Sequence, residues 1–278
     1  MVRKIVILFI CLFVFWVFLE VNNAWIQTTR YTIKSKKIPK GFDGLKIVQI
    51  SDLQDATFGK KQEKLMNKIK KAEPDLVVIT GDLVDSNRYD LANSRDLIEK
   101  LVAYTDVFFV LGNHEAAINQ VDEITETLSS LGVHVLRNQA IQLKRDHQVI
   151  SILGVDDPLM AGEQQPEKAM GQMVQEALSS VPQGSYTILL SHRPELMAVY
   201  VENEVDLVFS GHAHGGQIRL PGLGGLIAPG QGWFPRYTSG EHQEGKTTMI
   251  ISRGLGNSLF PYRIFNRPEI IAVTLKTI

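Results

Sequence analysis

One cysteine, Cys11, in 278 residues leaves no disulfide framework within the chain and no cysteine-rich metal site. It sits in an apolar run, where a thiol behaves as a small, inert hydrophobe. Net charge is nearly absent too, at −1 with 21% charged residues. Seven of the 29 basic residues but only one of the 30 acidic residues, Glu20, fall within residues 1–40. The remainder is mildly acidic, which excludes a sequence-independent nucleic-acid binder. Internal repeats are lacking, and so is a second core-sized block. With 44% hydrophobic residues, the chain has the composition of an ordinary globular protein.

The long apolar run, "IVILFICLFVFWVFL" at residues 5–19, follows Arg3 and Lys4. As a helix it reaches about 22 Å, short of the roughly 30 Å of bilayer hydrocarbon. It reads as a membrane anchor or the core of a signal segment. The best cleavage site, Asn22-Asn23-Ala24, has a poor outer residue, so a retained single-pass anchor is favoured, with Trp16 and Trp25 at the interfaces. A basic n-region before an apolar core favours an extracytoplasmic position for the rest. The expected organisation is an anchor or signal segment at 1–22, a basic linker at 23–43 and a catalytic domain at 44–278. The linker segment "RYTIKSKKIPK" would lie against lipid head groups or be a plain solvated spacer.

Beyond Asp43, short β-rich runs ("LKIVQI", "DLVVIT", "VFFVLG", "VISILGV", "YTILLSH", "DLVFSGH") alternate with helical periods such as "KQEKLMNKIKKA" and "QVDEITETLSSLG". This is an α/β pattern with helices covering sheet faces. After Gly211 the chain turns to Gly/Pro-rich loops and strands. Polar groups stand at the ends of the apolar runs: Asp52, Asp82, Asn113 with His114, His192, then His212 and His214. Ligand sites of α/β sheets form at the carboxyl ends of strands. Carboxylate, amide oxygen and imidazole together suit Mn²⁺, Fe or Zn²⁺. Two such ions can clamp a phosphoryl group and lower the pKa of a shared water to about 7. Asp82, with two oxygens, can bridge them, and glycines at 81, 112 and 211 allow sharp turns there.

In that order, SDLQ, GDLVD, GNHE, SH and GHAH resemble the five-block signature of the calcineurin-like metallophosphoesterases, whose first block normally reads Asp-x-His. The resemblance runs from residue 46 to the C-terminus. "GGQIRLPGLGGLIAPGQGWFPRYTSG" and "SRGLGNSLFPYRIFNRPEI" are similar to the membrane-anchored bacterial branch, near the UDP-diacylglucosamine-type lipid pyrophosphatases. The resemblance implies a four-layer αββα sandwich of two mixed sheets. It also implies a metal-dependent hydrolase of phosphodiester or pyrophosphate bonds, acting through a dinuclear metal-activated hydroxide on a phosphoester substrate that the anchor suggests is lipid-linked.

Carried over residue by residue, Asp52, Asp82 and His214 would hold one ion, with Gln54 in place of an imidazole. Asp82, Asn113, His192 and His212 would hold the other, with Mn favoured. His114 resembles the catalytic histidine, oriented by Glu115 or another carboxylate. An amide oxygen is a weaker donor than imidazole, so the first ion should be the looser. The alternative is a degenerate membrane-tethered scaffold with an impaired first site, but such a protein would lose several ligands, and every block except the first matches. Asp156 and Asp157 are candidates for orienting a ligand imidazole or for a simple turn. Arg193, Arg253 and Asn257 are candidates for a substrate phosphate or for ordinary surface roles. Asp55 and Asp85 read as solvated loop carboxylates; His134, His147 and His242 read as structural. No protein partner is expected.

Overall fold

The computed structural model describes residues 2–162, 165–257 and 260–278, so part of the C-terminal motif quoted above, residues 258–259, lies outside the described residues. Two six-stranded mixed sheets form its centre. The first has the order β1 (Gln27–Ser35), β16 (Glu269–Thr277), β2 (Lys46–Ile50), β3 (Leu76–Thr80), β4 (Asp106–Val110), β5 (His134–Val135). The second runs β14 (Gly240–Glu244), β15 (Thr247–Ile251), β9 (Leu207–Ser210), β8 (Tyr186–Leu190), β7 (Gln148–Gly154), β6 (Gln139–Arg145). Two short hairpins, β10 (Arg219–Leu220) with β11 (Gly224–Gly225) and β12 (Ile227–Ala228) with β13 (Gly232–Trp233), lie in the chain between β9 and β14.

Four layers result from three apolar interfaces. Between the sheets, Ile47, Val78 and Phe108 of the first pack in one cluster with Ile152, Ile188 and Phe209 of the second. Helices α2 (Glu63–Ala72), α3 (Ala92–Val102), α4 (Asn113–Ala116) and α5 (Val121–Ser130) follow strands of the first sheet; Leu65, Leu97 and Ile124 of α2, α3 and α5 bury against Val77 and Phe109. Helices α6 (Pro166–Leu178) and α7 (Met197–Glu202) do the same for the second, with Val174 and Met197 against Leu189 and Val208. The central strands are buried on both faces, which is why they read as continuous apolar runs rather than alternating ones. Truncating a residue such as Phe108 to Ala would cost about 3–5 kcal/mol.

The N-terminal segment differs from expectation in two ways. Helix α1 runs Val2–Ala24, beyond the apolar run itself, and its 23 residues cover about 34 Å, enough for a bilayer. The supposed basic linker is an edge strand: β1 pairs in parallel with β16 through nine residues, from Gln27↔Glu269 to Ser35↔Thr277. Its basic end is integrated as well, since Lys37 Nζ reaches Asp206 at 2.6 Å. Register then fixes where α1 attaches. β16 runs antiparallel to β2, with Ile271 opposite Gln49, so β1 begins at the end of the sheet where β2 finishes and Asp52 follows. Lys34 to Lys40 lie at the other end, roughly 25 Å away at about 3.3 Å per residue.

Candidate metal centre

Strand ends converge as the sequence order suggests. Asp52, Asp82, His192, His212 and His214 are all buried, with Gln54 beside them. Their backbones are bent to do this: Asp52, Gln54, Asp82, His212 and His214 have φ of 51°, 51°, 54°, 65° and 46°. Such left-handed positions cost about 1–3 kcal/mol each for non-glycine residues and persist only where surroundings impose them. Close approach explains two glycines. A Cβ on Gly112 would overlap Asp82 Oδ1, and one on Gly211 would overlap Ser51 Oγ.

Two groups of ligand atoms emerge, each within 4.8 Å: Asp82, His192 and His212, and Asp52, Asp82 and His214. Asp82 belongs to both. In the first group His192 Nε2 lies 3.2 Å from Asp82 Oδ2, 3.1 Å from Asn113 Oδ1 and 3.2 Å from His212 Nδ1. The opposite nitrogen, His192 Nδ1, is held by the Thr80 carbonyl at 2.7 Å, which fixes the ring. In the second, His214 Nε2 is 3.3 Å from Asp52 Oδ1, and Gln54 Nε2 donates to Asp82 Oδ2 at 2.9 Å. Among the described residues Gln54 Oε1 is buried with no partner.

The electrostatics fit a cation. Burial disfavours the His192 cation, yet Asp82, and then Asp52 and Asp157, override it and push the imidazole up to about 10. Asp82 is held well below the carboxylate range despite its burial, by His192 and then His114. His212, through burial and its cationic neighbours His192 and Arg193, is driven well down, and His214 is lowered by burial. The site thus offers an ionised Asp82, the buried Asp52 carboxylate beside it, lone pairs on the His212 and His214 imidazoles and a buried amide oxygen in a dry interior, a donor set that divalent cations satisfy. Turning the Gln54 amide about its last bond would set Oε1 against Asp82 Oδ2, an arrangement that a cation between them would stabilise.

His114 lies beside this cluster, with Nε2 4.0 Å from Asp82 Oδ2. Glu115 does not orient it. Its buried carboxylate accepts the backbone N–H groups of Asp82 (2.8 Å), Val84 (3.2 Å) and Gly112 (2.8 Å), tying the GD and GNHE loops together. Burial, then repulsion from Asp82, raises its pKa to about 7. The orienting contact is one the sequence concealed: Ser86 N–H donates to His114 Nδ1 at 2.9 Å, leaving the proton on Nε2, towards the cluster. Asp85 is buried rather than solvated and lies 3.6 Å from the same Nδ1. Asp55 is only half-buried, and burial followed by Asp90 raises it to about 6.

Other candidates resolve differently. Neither Asp156 nor Asp157 touches a ligand imidazole. Asp156 holds Arg137, and Asp157 holds Arg193 through two bonds of 2.6 and 2.9 Å; Arg193 Nη1 then reaches His212 Nε2 at 3.0 Å. Glu195, unmarked by any motif, lies 3.9 Å from the same nitrogen. Arg253 pairs with Glu269, and Asn257 is taken by Pro261 and Arg263, so both brace the C-terminal loop. His134 stacks on Phe108, and His242 faces the Ser239 carbonyl.

A two-sheet α/β sandwich with a buried carboxylate–imidazole cluster at its strand ends defines a class of hydrolases built around divalent ions. The family model for calcineurin-like phosphoesterases matches residues 45–216, and the chain belongs to that family: it is a hydrolase of phosphoester bonds, whose family uses divalent metal ions. The uncharacterized metallophosphoesterase YkuE of Bacillus subtilis (strain 168) is 36% identical over 258 residues, covering 91% of this chain and 86% of that protein. The phosphodiesterase YaeI of Escherichia coli (strain K12) is 30% identical over 209 residues, covering 73% and 71%. A transmembrane protein with a metallophosphoesterase domain from Danio rerio is 29% identical over 253 residues, covering 88% of this chain and 56% of its own length.

Proposed function

We propose that the chain is a membrane-anchored phosphodiesterase or pyrophosphatase with a dinuclear centre, residues 2–24 being the anchor and 27–278 the catalytic unit. The observation that carries it is the pair of ligand groups meeting at Asp82. Asp52, Asp82 and His214, with Gln54, would hold one ion; Asp82, Asn113, His192 and His212 would hold the other. Bound there, two divalent ions, with Mn²⁺ favoured, would neutralise phosphoryl oxygens and supply hydroxide near neutral pH. His114 donates Nε2–H to a phosphoryl or leaving oxygen, since Ser86 N–H occupies Nδ1. Glu115 keeps the two ligand loops in register. The anchor supports a lipid-linked substrate of the lipid-pyrophosphatase kind and an extracytoplasmic catalytic unit.

The test is hydrolysis of an aryl phosphodiester with added Mn²⁺ by wild type, Asp82→Asn and His114→Ala. Loss of turnover in both variants is expected, and equal rates in all three would overturn the reading. The substrate clause is separate: equal turnover of soluble and vesicle-borne phosphoesters by the full chain would remove it.

A further inference from the structure

We propose that the face around the exit of α1 is a docking surface for an anionic phospholipid bilayer, with the lysine face of α2 on lipid head groups and the aromatic loops at 233–234 and 260–265 in the interfacial layer. This rests on reading α1 as the anchor. Three independent features carry it.

The first is how α1 joins the domain. It is not a flexible tether: Asn23 Nδ2 donates to the Pro261 carbonyl at 3.1 Å, Asn23 Oδ1 accepts from Arg263 N–H at 2.8 Å, and the Phe18 and Phe265 rings meet at 5.2 Å. Trp25 lies under the Arg267 guanidinium at 5.3 Å. A spanning helix clamped in this way dictates which face of the domain meets the membrane.

The second is apolar exposure in the loop that clamps α1 and in the two hairpins bonded to it in turn, Arg219 N–H on Ile264, Leu226 N–H on Ile218 and Phe234 N–H on Leu226. Leu223, Trp233, Phe234 and Phe265 are 72%, 68%, 63% and 56% exposed. The β10–β11 hairpin is stitched to the Phe265 loop by Arg219 N–H on the Ile264 carbonyl, and an open cleft of about 480 Å³ between them is lined by Leu220, Pro221 and Phe265. Large aromatic and aliphatic groups presented together mark a membrane or protein contact, and continuity with α1 selects the membrane.

The third is charge. Lys64, Lys68 and Lys71 recur at i, i+4 and i+7 on one side of α2 and line a cleft of about 350 Å³ with Trp25, at the point where α1 ends. Among the described residues none of the three forms an ion pair. Like charges so spaced repel, and a layer of lipid phosphates relieves that repulsion.

Docking has a direct consequence for the site. The aromatic loops grow from the segments that carry the cluster: Gly216 packs on Gly225, and Asn266 Nδ2 donates to the His214 carbonyl at 2.7 Å. Seating this face on a bilayer sets the rim beside His214 at head-group level, where a lipid phosphoester lies.

The test uses the full chain reconstituted into phosphatidylcholine/phosphatidylglycerol vesicles carrying brominated acyl chains, which quench nearby tryptophan. The chain has three tryptophans, so Trp25→Phe with Trp233→Phe leaves Trp16 as reporter of the span, and Trp16→Phe with Trp25→Phe leaves Trp233 as reporter of docking. Both reporters should lose roughly half their emission, Trp233 to shallow bromines and Trp16, which the longer α1 puts nearer its middle than the interface expected from the sequence, to deeper ones. Adding Lys64→Gln, Lys68→Gln and Lys71→Gln should reduce Trp233 quenching and leave Trp16 unchanged. Quenching of Trp16 without Trp233 would overturn the docking surface while leaving the anchor intact. Quenching of neither would overturn the anchor and the proposal with it.

Discussion

The two halves of the metal cluster share Asp82 but are built to different standards. Around His192, three ligand atoms lie within 3.2 Å of one nitrogen, and the ring is fixed from behind by the Thr80 carbonyl. Around His214, Nδ1 is buried with no partner among the described residues, and the neighbour in the position of an imidazole is Gln54, whose donating NH₂ faces Asp82 and whose oxygen has no partner among them either. One half has its rings fixed in place before any ion arrives, so that an ion need only displace the His192 proton shared with Asp82. The other must reorganise to receive one, and reorganisation subtracts from affinity. Both halves lie in the same dry interior and share one carboxylate, so under the proposed dinuclear reading the bracing of each ligand, rather than polarity alone, should set the difference in ion affinity.

Asp82→Asn strikes what the halves have in common and should have the largest effect. Activity on an aryl phosphodiester should fall about 10³-fold or more, and ion counting should find both positions depleted. The next test separates the halves. His212→Ala removes a ligand from the braced half and should cost about 10²-fold in turnover, whereas His214→Ala, in the half already weak, should cost roughly 10-fold at saturating Mn²⁺. Equal losses, read by steady-state kinetics across a Mn²⁺ titration, would break the comparison.

How much of this was legible in the sequence follows from burial. The strand runs before Gly211 stood out because their strands are buried on both faces, and ligands that directly follow such runs could be picked out with them. β1 was not legible: its burial alternates weakly, it carries Arg30 and Lys34, and its partner β16 lies more than two hundred residues away, so a charged edge strand looked like a linker. Backbone-mediated contacts were hidden for a different reason. Nothing about the identity of Ser86 signals that its N–H fixes the His114 tautomer, since any non-proline residue has that donor. Glu115 was visible as part of GNHE, but its role, clamping three N–H groups rather than orienting His114, depends on which way a buried side chain points.

Gln54→His sharpens the comparison from the opposite side. Supplying the imidazole should tighten the weaker position about 10-fold, seen as a single shifted phase in calorimetric Mn²⁺ titration, with the His192 position unchanged. Two equally tight ions in the wild-type protein would mean that Gln54 already ligates as well as a histidine.

The smallest effect concerns what lies behind His212. Its Nδ1 faces His192 Nε2, so Nδ1 is the atom aimed into the cluster, and a ligating Nδ1 requires the proton on Nε2. Arg193 Nη1, 3.0 Å from that Nε2, is a donor and favours the opposite tautomer; Glu195, 3.9 Å away, is an acceptor and favours the ligating one. Opposite signs follow. Arg193→Met should leave Mn²⁺ affinity at the His192 position unchanged or raise it a few-fold, while Glu195→Gln should lower it by up to about 10-fold. Losses of equal size in both variants would mean that the braced half depends on the packing of this segment rather than on the direction of the hydrogen bond to His212.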